Sequence, residues 1–360
     1  MKKSVKFIIA FLIICIFFSV SFAAFIIYMD PFFHYHKPHP REGKGYIMED
    51  QRYINDGIVK NFDYDAMICG SSMTETFRTS VMDEEFKTTS VKVPFSGGSY
   101  KEVGELVTTA CEYNPDLKIV VRALDGNRFF NDKDERDYEA DHYPTYLYDK
   151  NLLNDVNYIF SKDALLTAVQ DFLGKGAASK PISFDEYSNW NNSYQFGVSA
   201  VNANYARNTV IPATSQDPLT EEDKAIILGN ITQNVTDIAD ANPDVEFYIY
   251  YTPYSIYYVD YFRLLGQFDR QFEAEKYITS LLLEHKNIHV YSFYMQHDYI
   301  EDANNYRDVA HHGQAMSDEI IRWLASGEGE LTKDNYEAYY EEMYDYYAKL
   351  DYDSFFVDWK

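Results

Sequence analysis

The sequence predicts an α/β fold: a five-stranded parallel sheet covered on both faces by helices and preceded by one transmembrane helix. Three observations carry that expectation. From about residue 64 onward, apolar runs of strand length alternate with stretches of helical spacing, the pattern of parallel strands joined by crossovers. The chain has 360 residues, 46% of them hydrophobic and 25% charged, enough to bury a full core. Finally, 23 residues from Phe7 to Met29 carry no charge, and at about 1.5 Å per residue they span a hydrocarbon layer of about 30 Å.

Taken in order, residues 1–29 read as a cytoplasmic N-terminus and membrane anchor. Lys2, Lys3 and Lys6 precede the apolar run and Asp30 follows it, so the positive-inside rule sends the remainder of the chain outward. A signal peptide cleaved after Ser21-Phe22-Ala23 is the competing reading, but the run AFIIYM continues past that site, beyond the usual apolar length of a signal. Residues 30–63 read as a polar linker leading into the domain, rich in Pro and His from His34 to Gly45.

Residues 64–330 read as the α/β domain. The expected strands are Ala66 to Cys69, Thr89 to Val93, Lys118 to Leu124, Val245 to Tyr251 and Ile288 to Phe293. Crossover helices are expected over Met73 to Phe86, Tyr100 to Tyr113 and Ser255 to His285. Between the third and fourth strands, about 128–244 reads as an insertion over the carboxyl edge of the sheet, where ligands of open α/β sheets bind. It holds an acid-rich stretch (Asn131 to Asp141), a Gly-Ala run (GKGAAS) and the capping signal Thr220-x-x-Asp223. Residues 331–360, alternating acids with aromatics, read as an acidic, Tyr-rich C-terminal helix packed by its aromatic face.

Composition narrows the function. With 32 Lys and Arg against 57 Asp and Glu, the net charge of −25 repels nucleic acid, which is not expected as a partner. The 34 Tyr, 25 Phe and 3 Trp suit dense packing or stacking on sugar rings. Three Cys, one of them in the apolar run, exclude a disulfide scaffold and a Cys-based zinc site. No cofactor and no metal are expected.

Two segments carry chemistry. Cys69-Gly70-Ser71-Ser72 ends the first strand just before a helical pattern, so Ser72 sits on a tight turn above the sheet, where a nucleophile or a plain helix cap belongs. Asn305-Tyr306-Arg307-Asp308-Val309-Ala310-His311-His312 follows the fifth strand. A serine attacks only if a base takes its proton, and a histidine oriented by a carboxylate is the usual base. Asp308 and His311 are three apart, so one short loop delivers both.

These residues resemble the SGNH (GDSL-type) hydrolases. The family's first motif, Gly-Asp-Ser, is similar to Gly70-Ser71-Ser72, and its Asp-x-x-His motif is matched by Asp308-Val309-Ala310-His311. The resemblance implies a three-layer, flavodoxin-like αβα domain with Ser72 as nucleophile, His311 as base and Asp308 as its orienting acid. It also implies an oxyanion hole built from the N–H of Ser72 and of Gly97 or Gly98. Where the family places Asn after the third strand this chain has Asp125, so Asp125 must be protonated, turned away, or replaced in that role by Asn127. An anchored Gly-Ser-Ser variant further resembles extracytoplasmic accessory proteins of cell-envelope O-acylation. That likeness implies an acyl donor or cell-envelope polysaccharide as substrate, and the membrane and a membrane-bound O-acyltransferase as partners. The expectation is an extracytoplasmic serine esterase or O-acyltransferase; the alternative is a non-catalytic glycan-binding or membrane-assembly protein.

Overall fold

In the computed structural model, residues 2–39, 45–136, 143–174, 183–205, 207 and 217–357 are described. Most of the Gly-Ala run, the end of the acid-rich stretch and residues 40–44 of the Pro- and His-rich stretch lie outside them. The elements run α1 (Lys2–Met29), α2 (Gln51–Asn61), β1 (Ala66–Gly70), α3 (Thr79–Phe86), β2 (Ser90–Pro94), α4 (Tyr100–Tyr113), β3 (Ile119–Leu124), α5 (Val156–Ile159), α6 (Lys162–Phe172) and α7 (Val198–Asn204). After these come α8 (Glu221–Ile231), α9 (Asp237–Ala241), β4 (Glu246–Tyr251), α10 (Ile256–Leu264), α11 (Phe268–Leu282), β5 (Ile288–Tyr291), α12 (His297–Ile300), α13 (Gln314–Ser326), β6 (Glu330–Leu331) and α14 (Tyr336–Lys349).

The chain divides into two compact units, Met1–Phe62 with Tyr138–Ser183, and Asp63–Asp137 with Phe184–Lys360. The first contains α1, which over Ser4–Met29 is long and apolar enough to span a membrane or to serve as a signal sequence. Immediately after α1 the chain turns on Asp30, whose carboxylate accepts the backbone N–H groups of His34, Tyr35 and His36 and the Tyr158 hydroxyl. One buried carboxylate thus satisfies donors that a sharp turn would leave unpaired.

The second unit holds the sheet, in the order β2-β1-β3-β4-β5-β6. All five expected strands form, with ends shifted by no more than two residues, and pair in parallel. Every residue of β1 and β2 is buried, which explains why β1 reads as an unbroken apolar run rather than an alternation, although β2 buries the polar Ser90 and Lys92 as well. The sheet nevertheless has six strands and is mixed: β6 pairs antiparallel to β5 through Val290 with Leu331 and Tyr291 with Glu330. Two residues are too few to show a strand period. What makes β6 is the reversal after α13, where Gly327 and Gly329 adopt positive φ (79° and 78°), a region open to glycine.

Helices pack in two groups, α3 with α13, and α4 with α9, α8 with α11 and α11 with α14. Right-handed crossovers put the β1-to-β2 connection on one face and the β2-to-β3, β3-to-β4 and β4-to-β5 connections on the other, while α13, in the connection from β5 to the antiparallel β6, packs on α3. The stretch expected as one helix over Ser255 to His285 is two, α10 and α11, broken at Gly266 (φ 71°). The capping signal behaves as read, Thr220 and Asp223 forming a reciprocal capping box at the start of α8, and the structure adds a second box, Ser99 with Glu102, at the start of α4.

Candidate active site

Because β1 to β5 run parallel, the loops that follow them emerge at one edge of the sheet. Ser71 and Ser72 follow β1, Gly97 follows β2, Asp125, Asn127 and Arg128 follow β3, Tyr254 and Tyr258 follow β4, and Ala310 and His311 follow β5; together they line a cleft of about 160 Å³.

The turn after β1 is a short 3₁₀ segment (Ser72–Thr74), and the α-helix expected from Met73 begins only at Thr79. The cause is Lys92 on β2. Its ammonium is fully buried and donates to the carbonyls of Glu75 (2.6 Å) and Phe77 (2.8 Å), acceptors that a continuous helix would have used itself. Burial pushes the lysine down to about 7, against the nearby carboxylates of Asp185 and Glu75. Ser71 Oγ accepts the Met73 N–H (3.2 Å) and caps the turn, which leaves the half-buried Ser72 hydroxyl facing the cleft.

Ser72 Oγ lies 3.0 Å from His311 Nε2, and His311 Nδ1 lies 2.9 Å and 3.0 Å from the two oxygens of Asp308. With a carboxylate as its partner, Nδ1 carries the proton and Nε2 is left as the acceptor for the serine hydroxyl. Asp308 also accepts the backbone N–H of Ala310 (2.9 Å) and of His311 (2.8 Å), so the acid shapes the loop that presents the histidine. Burial opposes ionisation of Asp308, but the hydrogen bonds and charge of the His311 ring, with those two N–H groups, outweigh it and hold the carboxyl well below the usual range. The loop is fastened from both sides: Arg307 N donates to His311 O (3.0 Å), Ser255 Oγ to Val309 O (2.6 Å) and Tyr306 Oη to Pro253 O (3.0 Å).

The residues expected around an oxyanion separate. Gly98 N–H closes a turn onto Phe95 O (2.7 Å), so it does not face the cleft as a donor. Gly97, at φ 64° in that turn with open space where a Cβ would sit, lines the cleft. Only glycine adopts this conformation without cost, so the turn, not a contact, explains the residue. Asp125 lines the cleft as well, and one of its oxygens accepts the Thr252 hydroxyl (2.6 Å). Asn127, exposed at the rim, receives the Tyr254 hydroxyl on its carbonyl oxygen (3.4 Å), which leaves its amide N–H₂ on the other side.

Three residues that sequence reasoning did not single out belong here. Arg307 bonds Asp308 (Nε to Oδ2, 3.2 Å) while its guanidinium lies over Trp190 and Tyr194 (4.0 and 4.2 Å to the ring centroids). Trp190 in turn meets the His311 ring edge to face at 5.9 Å. Lys92 is the second and Arg128, donating to Gly97 O (3.2 Å), the third. A cation adjacent to Asp308 and a lysine inside an apolar strand were the available signals.

His312 turns the other way, into the core against Phe77, with Nδ1 near Ser317 Oγ (3.3 Å). Burial pushes it down to about 4 from 6.5. Because the folded value is depressed, its neutral form contributes stability that is complete above about 6.5 and is lost as pH falls through about 4, roughly 3 kcal/mol in all. His312→Gln should therefore flatten the loss of stability between neutral pH and about pH 4; urea melts showing the same acid loss in both proteins would refute this. Among the described residues no group of three or more His, Cys, Asp or Glu side chains is placed to hold a metal ion.

No protein-family model matches the chain. No curated protein matches it. Among solved structures, the chain is similar to "The structure of a putative platelet activating factor from Streptococcus pneumonia", at 10% identity and a TM-score of 0.39, over 78% of this chain and 92% of that one.

Proposed function

We propose that this protein is an SGNH-type serine esterase or O-acyltransferase, held outside the cell by α1 and acting on acyl groups of a cell-envelope polysaccharide. One observation carries the chemistry: the unbroken hydrogen-bond chain from Ser72 Oγ through the His311 ring to Asp308, at the carboxyl edge of the sheet. Ser72 Oγ attacks the acyl carbon while His311 Nε2 takes its proton, and Asp308 stabilises the imidazolium. The oxyanion forms beside the N–H of Ser72 and of Gly97 and the amide of Asn127, neutral donors aimed at developing charge. Collapse of the intermediate breaks the ester C–O bond, His311 returns the proton to the departing oxygen, and the acyl group stays on Ser72. Water or a glycan hydroxyl then gives its proton to His311 and removes the acyl group. The acyl donor, the glycan, the membrane and a membrane-bound O-acyltransferase partner come from the resemblance in motif and architecture.

The second reading, a non-catalytic SGNH-like module that binds glycan or assists membrane assembly, is favoured by Asp125, a carboxylate lining the cleft where the family has a neutral amide. The two separate when purified full-length protein is given a chromogenic acetyl ester with and without an acetyl-accepting glycan. Acetyl release to water indicates an esterase, and transfer to glycan a transferase. Folded protein that forms no acyl-enzyme and turns over neither would sink the catalytic reading in favour of the binding module.

A further inference from the structure

Helix α1 leaves nearly all of its apolar surface uncovered, with Phe7 74%, Phe17 65% and Phe18 65% exposed. Its last turns are different. There α5 and α6, from the same unit, pack against it: Phe160 stacks on Phe22 (5.4 Å between centroids) and Phe172 meets Phe25 edge to face (5.9 Å).

The outward surface of α5 and α6 reverses the pattern of a helix that faces water. In α6 the small residues Ala164 and Ala168 are buried, while Leu166, Val169 and Phe172, and Leu173 just after the helix, point out, the last two 68% and 55% exposed. Just upstream, Leu152 and Leu153 are 76% and 88% exposed. Between residues 151 and 161 every exposed side chain is Asn, Leu, Val or Phe, in a chain that is 25% charged. The charged residues of α6, Lys162, Asp163 and Asp171, stand at its two ends. So many large apolar side chains exposed within one short segment mark an interaction surface.

Its depth identifies the partner. Ser4–Met29 is 26 residues, about 39 Å of helix, against a hydrocarbon core of about 30 Å. Phe22 lies seven residues before Met29, about 10 Å along the helix. With the excess shared between the two ends the boundary falls about three residues before Met29, so Phe25 lies at the outer-leaflet boundary and Phe22 about 6 Å inside it, and the rings they hold, Phe172 and Phe160, lie at those levels.

We propose that residues 151–173 form a foot seated in the outer leaflet beside α1, with Leu152, Leu153, Phe160, Phe172 and Leu173 entering the lipid interface. The occupant is lipid because the patch continues the lipid-facing surface of the helix it packs on. The proposal rests on the reading of α1 as an uncleaved anchor. A foot of this kind holds the first unit at a fixed height on the membrane, which a single flexible tether would not do.

The test uses the full chain with Cys15 and Cys111 replaced by Ala and the buried Cys69 left in place. Single cysteines are introduced by Phe17→Cys in α1, Leu153→Cys and Phe172→Cys in the foot, and Glu221→Cys as the aqueous reference. Each is labelled with a polarity-sensitive fluorophore and reconstituted in phosphatidylcholine vesicles containing spin-labelled lipid. The expected result is a blue shift at 153 and 172 with quenching by lipid spin-labelled near the headgroup, quenching at 17 by lipid labelled deep in the chain, and neither effect at 221. Quenching at 17 with water-like emission at 153 and 172 overturns the foot and leaves the anchor standing. No quenching at 17 overturns both. A blue shift at 153 and 172 without lipid quenching, accompanied by cross-linking between copies, assigns the patch to self-association and overturns the proposal.

Discussion

Ser72→Ala should abolish covalent labelling by a fluorophosphonate and lower ester turnover by at least about 10⁴-fold, and His311→Ala should do the same, because in the proposed chemistry the two act as one unit whose parts fail together. The fold should tolerate the serine change: the side-chain bond of Ser72 is to His311, whereas Ser71 caps the turn. Ser71→Ala is therefore the informative control. It removes a cap worth about 1 kcal/mol but leaves the hydroxyl that faces His311, so labelling should persist. Labelling that survives Ser72→Ala and vanishes with Ser71→Ala would place the nucleophile on the wrong serine.

Asp308→Asn should lower kcat by about 10⁴-fold with KM little changed, since an amide donor opposite Nδ1 favours the tautomer that puts the proton on Nε2, where the serine needs an acceptor. The pH dependence follows from the depressed Asp308 value. A carboxyl lowered in the folded state contributes stability above its unfolded value and loses it as pH falls through the folded one. Asp308 thus stays ionised across mild acid and does not set the acid limb of the rate profile. Asp308→Asn should be less stable than the parent at neutral pH, with the difference closing in strong acid. An Asp308→Asn protein with parental kcat would remove Asp308 from the reaction.

Much of the site was legible because its parts are local. Gly70-Ser71-Ser72 at a strand end and Asp308 three before His311 are short patterns whose chemistry depends on neighbours in the chain, and the parallel order of strands brings their loops to one edge. The oxyanion region was less legible. Choosing between Gly97 and Gly98 depends on which N–H a turn consumes, and that is Gly98. The start of α3 was misjudged because apolar spacing cannot see Lys92, which withdraws two carbonyls from the helix across a strand. Strand β6 was missed because its pairing lies entirely in β5.

By itself the sequence determined the apolar N-terminal helix, the five parallel strands and the two segments that carry the serine and the histidine, since period, charge and turn chemistry are properties of neighbouring residues. Tertiary structure alone decided the rest. It set the 3.0 Å approach of Ser72 to His311, residues 239 apart in the chain, turned His312 into the core and stacked Arg307 on Trp190. It also joined Tyr138–Ser183 to the N-terminal unit rather than to the sheet. Such contacts form only when the whole chain buries its apolar surface, and no local pattern specifies which distant groups then meet.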